Sequence, residues 1–149
     1  MTGVQTCALP ILKARLMTQK VSFAIDGTAE QRAQSIAAQA SAAGSDFAAL
    51  AAANSDDLAT KANGGDAGSL PLDNQDANGL IAAAKRMAPN QVSQPIKGSD
   101  GYYIIKLIDK NDTSVHYAQI KINLTELDKR FESVKRTNKI KEYIKVEKL

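Results

Sequence analysis

The sequence has no tryptophan, one cysteine and one histidine, and aromatic residues make up only 5% of it. It offers no Ser-His-Asp set. No cluster of His, Cys and carboxylates stands at metal-ligand spacing. No cofactor is expected. No apolar run approaches the roughly 20 residues that cross a bilayer, so the chain as given reads as soluble. Charge of either sign is also modest: the net value is +3 with an isoelectric point near 9.0, too mild to argue for nucleic acid.

What is present is alanine. Hydrophobic residues make up 44% of the 149, and many of them are the alanines between Ala29 and Ala53. One domain with a small core is expected, its helices packed closely through methyl groups. Met1 to Ile11 (MTGVQTCALPI) has no charge, no periodicity and no capping logic. It resembles a translated sequencing adapter and is set aside from fold reasoning. Cys7 lies inside it, so the cysteine count carries no message about redox compartment. The natural N-terminus, with any signal or anchor, is expected to be missing. Residues 12–19 are read as a linker or a remnant of that missing region.

Lys20 to Asp26 (KVSFAID) reads as a strand, and Asp26-Gly27-Thr28 as a turn able to cap a helix. Apolar residues then recur at Ala29, Ala33, Ile36, Ala37, Ala40 and Ala43, the spacing of an amphipathic helix, with Gly44 as its stop. A second helix starts at Ser45 or Asp46 and buries Phe47, Leu50 and Ala51. A glycine-rich turn (Lys61 to Ser69) leads into a strand near Gly68 to Leu72. A third helix carries Leu80, Ile81, Ala84 and Met87, and Pro89 with Asn90 closes it. Val92 to Ile96 is a short extended segment. Gly98 to Gly101 is a tight turn, and Tyr102 to Asp109 (YYIIKLID) is the clearest strand. The interleaving predicts an α+β sheet covered by helices. Beyond Lys110, Val115 to Ile122 reads as a further strand. Thr125 with Asp128 resembles a capping box, and Leu127, Phe131 and Val134 keep helical spacing within a basic stretch. The words VSFAI and VHYAQI are alike, but they are too short to define a repeat.

Five words, in order, resemble the parvulin family of peptidyl-prolyl isomerases. Asp46-Phe47-Ala48-Ala49-Leu50-Ala51 resembles its D-F-x-x-L-A helix, and Ser55-Asp56-Asp57 its S-x-D segment. Gly64-Gly65-Asp66-Ala67-Gly68 resembles its G-G-D-L-G turn. Asn90-Gln91-Val92-Ser93 with Pro95-Ile96 resembles G-x-V-S-x-P-V, and Gly101 to Leu107 resembles the G-Y-H-I-I-K-L strand. The resemblance runs from Val21 to Asp109. It implies a small, mostly antiparallel sheet of about four strands under three or more helices, over residues 20–110. A basic strand-helix extension occupies residues 111–149.

The same resemblance implies rotation about X-Pro bonds of unfolded or secreted polypeptide as the activity. It implies an extracytoplasmic bacterial folding factor as the setting, with membrane association through a missing N-terminal anchor. Both histidine positions of the family are substituted: Phe23 stands in the first strand's word and Tyr103 in the last. The central acidic position is kept as Asp57. Catalytic positions carried over are thus Asp57, Tyr103 and Phe23; substrate-binding positions are Leu80, Asp76, Met87 and Asp100. Four of these have a plainer alternative: a helix cap for Asp57, core packing for Tyr103, Phe23 and Leu80. His116 reads as a strand-face residue. With both histidines gone, weak catalysis and a non-catalytic, polypeptide-binding domain are the two rival outcomes.

Overall fold

The computed structural model describes residues 8–138, with side chains from 12 to 137. Most of the adapter-like segment and the last residues of the basic stretch lie outside that range. The described elements are α1 (Ala8–Ile25), α2 (Gly27–Ser41), α3 (Phe47–Asn54), α4 (Leu58–Lys61), β1 (Asp66–Pro71), α5 (Leu80–Arg86), β2 (Ile96–Lys97), β3 (Gly101–Lys110), β4 (Ser114–Asn123) and α6 (Glu126–Asn138). The strands form one antiparallel sheet in the order β1-β4-β3-β2. The expected α+β architecture with a four-stranded antiparallel sheet is what the chain adopts.

Two cores sit on the two faces of this sheet, because successive strand residues point to opposite sides. On one face Tyr102, Ile104, Ala118, Ile120 and Ile122 are buried against Ala29, Ala33, Ile36, Ala37 and Ala40 of α2 and Phe47 and Ala51 of α3. The alanine stripe lets α2 lie close to the strands. On the other face Tyr103, Ile105, Leu107, Val115 and Tyr117 are buried against Leu80, Ile81 and Ala84 of α5 and Met87.

The expected first strand is not a strand. Lys20 to Ile25 closes α1, whose earlier residues (LKARLMTQK) are good helix formers. Short apolar runs are ambiguous between helix and strand, and tertiary context decides them. Here the position between β1 and β3 is filled by β4, the similar VHYAQI word. β4 pairs with β3 from Gly101↔Asn123 to Lys110↔Val115 and with β1 from Asp66↔Ala118 to Pro71↔Ser114. Residues 12–19, expected as a linker, belong to α1. The expected boundary after Lys110 runs through the sheet, and β4 supplies buried residues to both cores.

Asp26 ties these pieces together. It is buried, and its Oδ1 accepts from Ala29 N (2.9 Å) and Thr28 Oγ1 (2.9 Å), capping α2. Its Oδ2 accepts from Thr125 N (2.7 Å) and Glu126 N (3.1 Å), so the same carboxylate caps α6. The Thr125–Asp128 capping box anticipated for α6 gives way to a residue about a hundred positions earlier. Leu127 of α6 is half-buried, while Phe131 and Val134 are exposed.

Candidate active site

Asp57 is placed by a short loop between α3 and α4. Ser55 Oγ, fully buried, accepts from Asp57 N (3.3 Å) and from Lys121 N of β4 (3.1 Å). Asp56 N donates to Lys121 O (2.8 Å), and the Asp56 carboxylate accepts from Asn123 N (3.0 Å). The S-D-D word is thus stitched along β4, and Asp57 is held over the sheet face that carries Tyr103.

The Asp57 carboxylate caps α4, accepting from Ala59 N (3.1 Å) and Thr60 Oγ1 (2.9 Å). It also accepts from Gln119 Nε2 of β4 at 2.6 Å. Burial pushes this carboxyl up. The bonds from Thr60, Gln119 and Ala59, with the Lys121 ammonium nearby, outweigh that and hold it below the usual carboxylate range. The helix cap, one of the two alternatives posed for Asp57, is what its hydrogen bonds form.

Tyr103 lies on β3 directly across from Lys121. Its ring is buried, and its hydroxyl donates to Asp100 Oδ1 (2.9 Å). Lys121 Nζ donates to Asp100 Oδ2 (2.7 Å) and stands 5.8 Å from the centre of the Tyr103 ring. Burial, and then the Asp100 and Asp57 carboxylates, drive the Tyr103 hydroxyl well above its ordinary value, so it stays protonated. Burial raises Asp100 too, but its bonds from Lys121 and Tyr103 leave it lowered. Asn78, beside them, accepts from Ser99 N and Oγ, each at 2.9 Å, and fixes the turn before β3.

The remaining carried-over positions fall elsewhere. Phe23 is on the opposite face: its ring meets Tyr102 edge-on at 5.2 Å, under Lys97, and joins the α2–α3 core. It is removed from the site because its segment is helical. Asp76 caps α5, accepting from Leu80 N (2.8 Å) and Ala82 N (3.0 Å). Leu80 and Met87 are buried in the core beneath Tyr103 and do not form an open pocket wall. Asp57, Asn78, Asp100, Gln119 and Lys121 are among the residues that reach solvent at this face. Gln119 and Lys121 were missed because the strand bearing them was placed outside the domain. Their alternation with Tyr117 along β4 was the available signal. His116, on the other side of β4, pairs with Asp66 (2.7 Å) as a cross-strand contact.

A cleft of about 490 Å3 adjoins this face through Asp100. Arg15 and Ser22 of α1, Leu124, and Leu127 of α6 are among the residues that line it. Among the described residues no His, Cys, Asp and Glu group could hold a metal ion, and no helix is long and apolar enough to cross a membrane.

Known proteins are similar to this chain in sequence. The foldase protein PrsA of Clostridium kluyveri is 43% identical over 74 residues, 48% of this chain and 21% of that protein. Foldase protein PrsA of Clostridium tetani is 32% identical over 109 residues, 70% of this chain and 32% of that protein. Foldase protein PrsA of Lactococcus lactis is 46% identical over 70 residues, 46% of this chain and 23% of that protein. The chain thus spans between a fifth and a third of the curated relatives' own length. Residues 16–109 match the family model of the rotamase, PPIC-type PPIase domain, well over half of the chain. With α3, the S-D-D loop, the glycine turn and β3 all in place around one sheet, the chain belongs to the PPIC-type peptidyl-prolyl isomerase family.

Proposed function

We propose that the chain is a peptidyl-prolyl cis-trans isomerase module of a folding factor, acting on proline-containing segments of unfolded polypeptide. The observation that carries the reading is the Asp57 carboxylate, held by three donors over a sheet face. A peptide bond resists rotation by ~18–20 kcal/mol because the nitrogen lone pair is shared with the carbonyl. X-Pro bonds have nearly balanced isomers but exchange over tens to hundreds of seconds. Twisting returns the lone pair to nitrogen and withdraws negative charge from the carbonyl oxygen. A carboxylate beside that oxygen opposes the planar state more than the twisted one. N–H donors beside the nitrogen favour the twisted state directly. Such differential stabilisation lowers the barrier without any bond being broken. Asp57 supplies the charge, and the Lys121 ammonium, which gives one of its three N–H groups to Asp100, supplies a donor. Tyr103, its hydroxyl committed to Asp100, serves as the floor.

A second reading, binding of extended chains without catalysis, draws support from one feature. Leu80 and Met87 are buried and offer no open apolar cradle for the prolyl ring. Line-shape or exchange NMR on a short X-Pro peptide separates the two. We expect acceleration by the wild type and loss of at least about tenfold in Asp57→Asn, which keeps an oxygen for the α4 cap but removes the charge. Binding of unfolded chains with no acceleration favours the second reading. We read its setting as extracytoplasmic, a reading supported by the similarity to foldase proteins of bacteria.

A further inference from the structure

Gln119 is contributed by β4, beyond residues 16–109 that match the family. Its backbone is pinned from both sides of the strand: Gln119 N donates to Gly65 O (2.7 Å), and the residue pairs with Ile105 of β3. The side chain is half-buried and points to the Tyr103 face, where Nε2 meets Asp57 Oδ2 at 2.6 Å. Of the three side-chain and backbone donors to Asp57, Ala59 and Thr60 belong to the α4 turn itself and satisfy its cap. Gln119 alone among them ties the carboxylate to the sheet.

We propose that Gln119 is a positioning residue for the isomerase reaction, holding the Asp57 carboxylate at a fixed height over the sheet through a neutral donor. A neutral amide suits this place. A cation there would form an ion pair and cancel the field that the twisting amide has to feel. The nearby cation, Lys121, is instead drawn to Asp100 at 2.7 Å. The Asp56 carboxylate, next in sequence, is turned away toward Arg32 (3.3 Å) and Asn123 N. The charged or titratable groups that bear on Asp57 are therefore Lys121 of β4 and the hydroxyl of Tyr103 of β3. The inference deepens the isomerase reading and rests on it.

The test uses the full chain with carboxyl-labelled aspartate, the Asp57 resonance being assigned by its loss in Asp57→Asn. In Gln119→Leu the titration midpoint of Asp57 is expected to rise by about one pH unit, because a hydrogen bond to the charged form is gone. In Gln119→Glu it rises further, since a second carboxylate now faces the first. The acid limb of the X-Pro exchange profile moves with it, and the plateau rate in Gln119→Leu falls roughly fivefold, as for loss of one hydrogen bond. A Gln119 that only packs leaves the midpoint and the acid limb where they are. A Gln119→Leu midpoint equal to the wild type's, in a wild type that does accelerate exchange, overturns the inference alone. A wild type with no acceleration removes the isomerase reading itself, and the positioning role with it. Should Gln119→Leu fail to fold, Gln119→Glu gives the same two readouts.

Discussion

Asp26 shows how much one side chain can govern here. Its four accepted hydrogen bonds cap α2 and α6, and it is almost wholly buried. Loss of a helix cap costs about 0.5–2 kcal/mol, and each orphaned buried donor about 1–3 kcal/mol. Asp26→Ala is therefore expected to cost roughly 3–4 kcal/mol, read as a lower urea midpoint. Burial raises this carboxyl, but the bonds from Ala29, Glu126, Thr125 and Thr28 together leave it below its ordinary 3.8. A lowered folded value means that the stabilisation is complete above the unfolded value and is lost as pH falls through the folded one. The gap between wild type and Asp26→Ala should accordingly be wide at about pH 6 and shrink near about pH 2.5. The first half of this role was legible: an Asp-Gly-Thr turn before an alanine stripe is a capping signal. The second half was not, since no local pattern announces a contact across 99 residues. Asn90 is similar. It stands where the family words have glycine and adopts φ 66°, the left-handed region that Asn tolerates better than most residues.

Among the elements, β1 meets β4 through a constrained turn. Gly65 has φ 85°, and a Cβ there would run into the Gln119 carbonyl oxygen and lie 3.0 Å from Ala51 Cβ. Gly65→Ala combines left-handed strain with a backbone clash and should destabilise by about 2–4 kcal/mol. It should also displace Gln119 from Asp57, so exchange activity should fall further than a purely global loss of stability requires. Thermal unfolding and X-Pro exchange below the transition measure the two effects separately. α2, α3, α5, β3 and β4 were readable from periodicity, because each carries a long enough buried stripe. The four-residue α4 was not, being too short for a period. α1 was misread: Val21, Phe23 and Ile25 alternate like a strand, yet the place in the sheet between β1 and β3 is already taken by β4. With it went Phe23 as a site residue.

For the whole molecule, the sheet order places β4 in the middle, so the residues after Lys110 complete the fold. Val115, Tyr117, Ala118, Ile120 and Ile122 are all buried. Burying Val115, Ile120 and Ile122 alone contributes about 1.5–3 kcal/mol each, comparable with the ~5–15 kcal/mol that holds a domain together. A chain ending at Lys110 is expected to lack a cooperative unfolding transition by circular dichroism and to show no X-Pro exchange, whereas one ending at Asn138 should retain both.

By itself the sequence determined the family, the α+β class and most of the helices that flank the sheet, because those rest on short words and on stripes of burial that each segment carries alone. The tertiary structure decided which of two similar words entered the sheet, and therefore which side chains face Asp57. Strand pairing is a competition between segments far apart in the chain, and its outcome depends on what else each could pack against. That is why Phe23 lies on the far face while Gln119 and Lys121 stand beside the carboxylate.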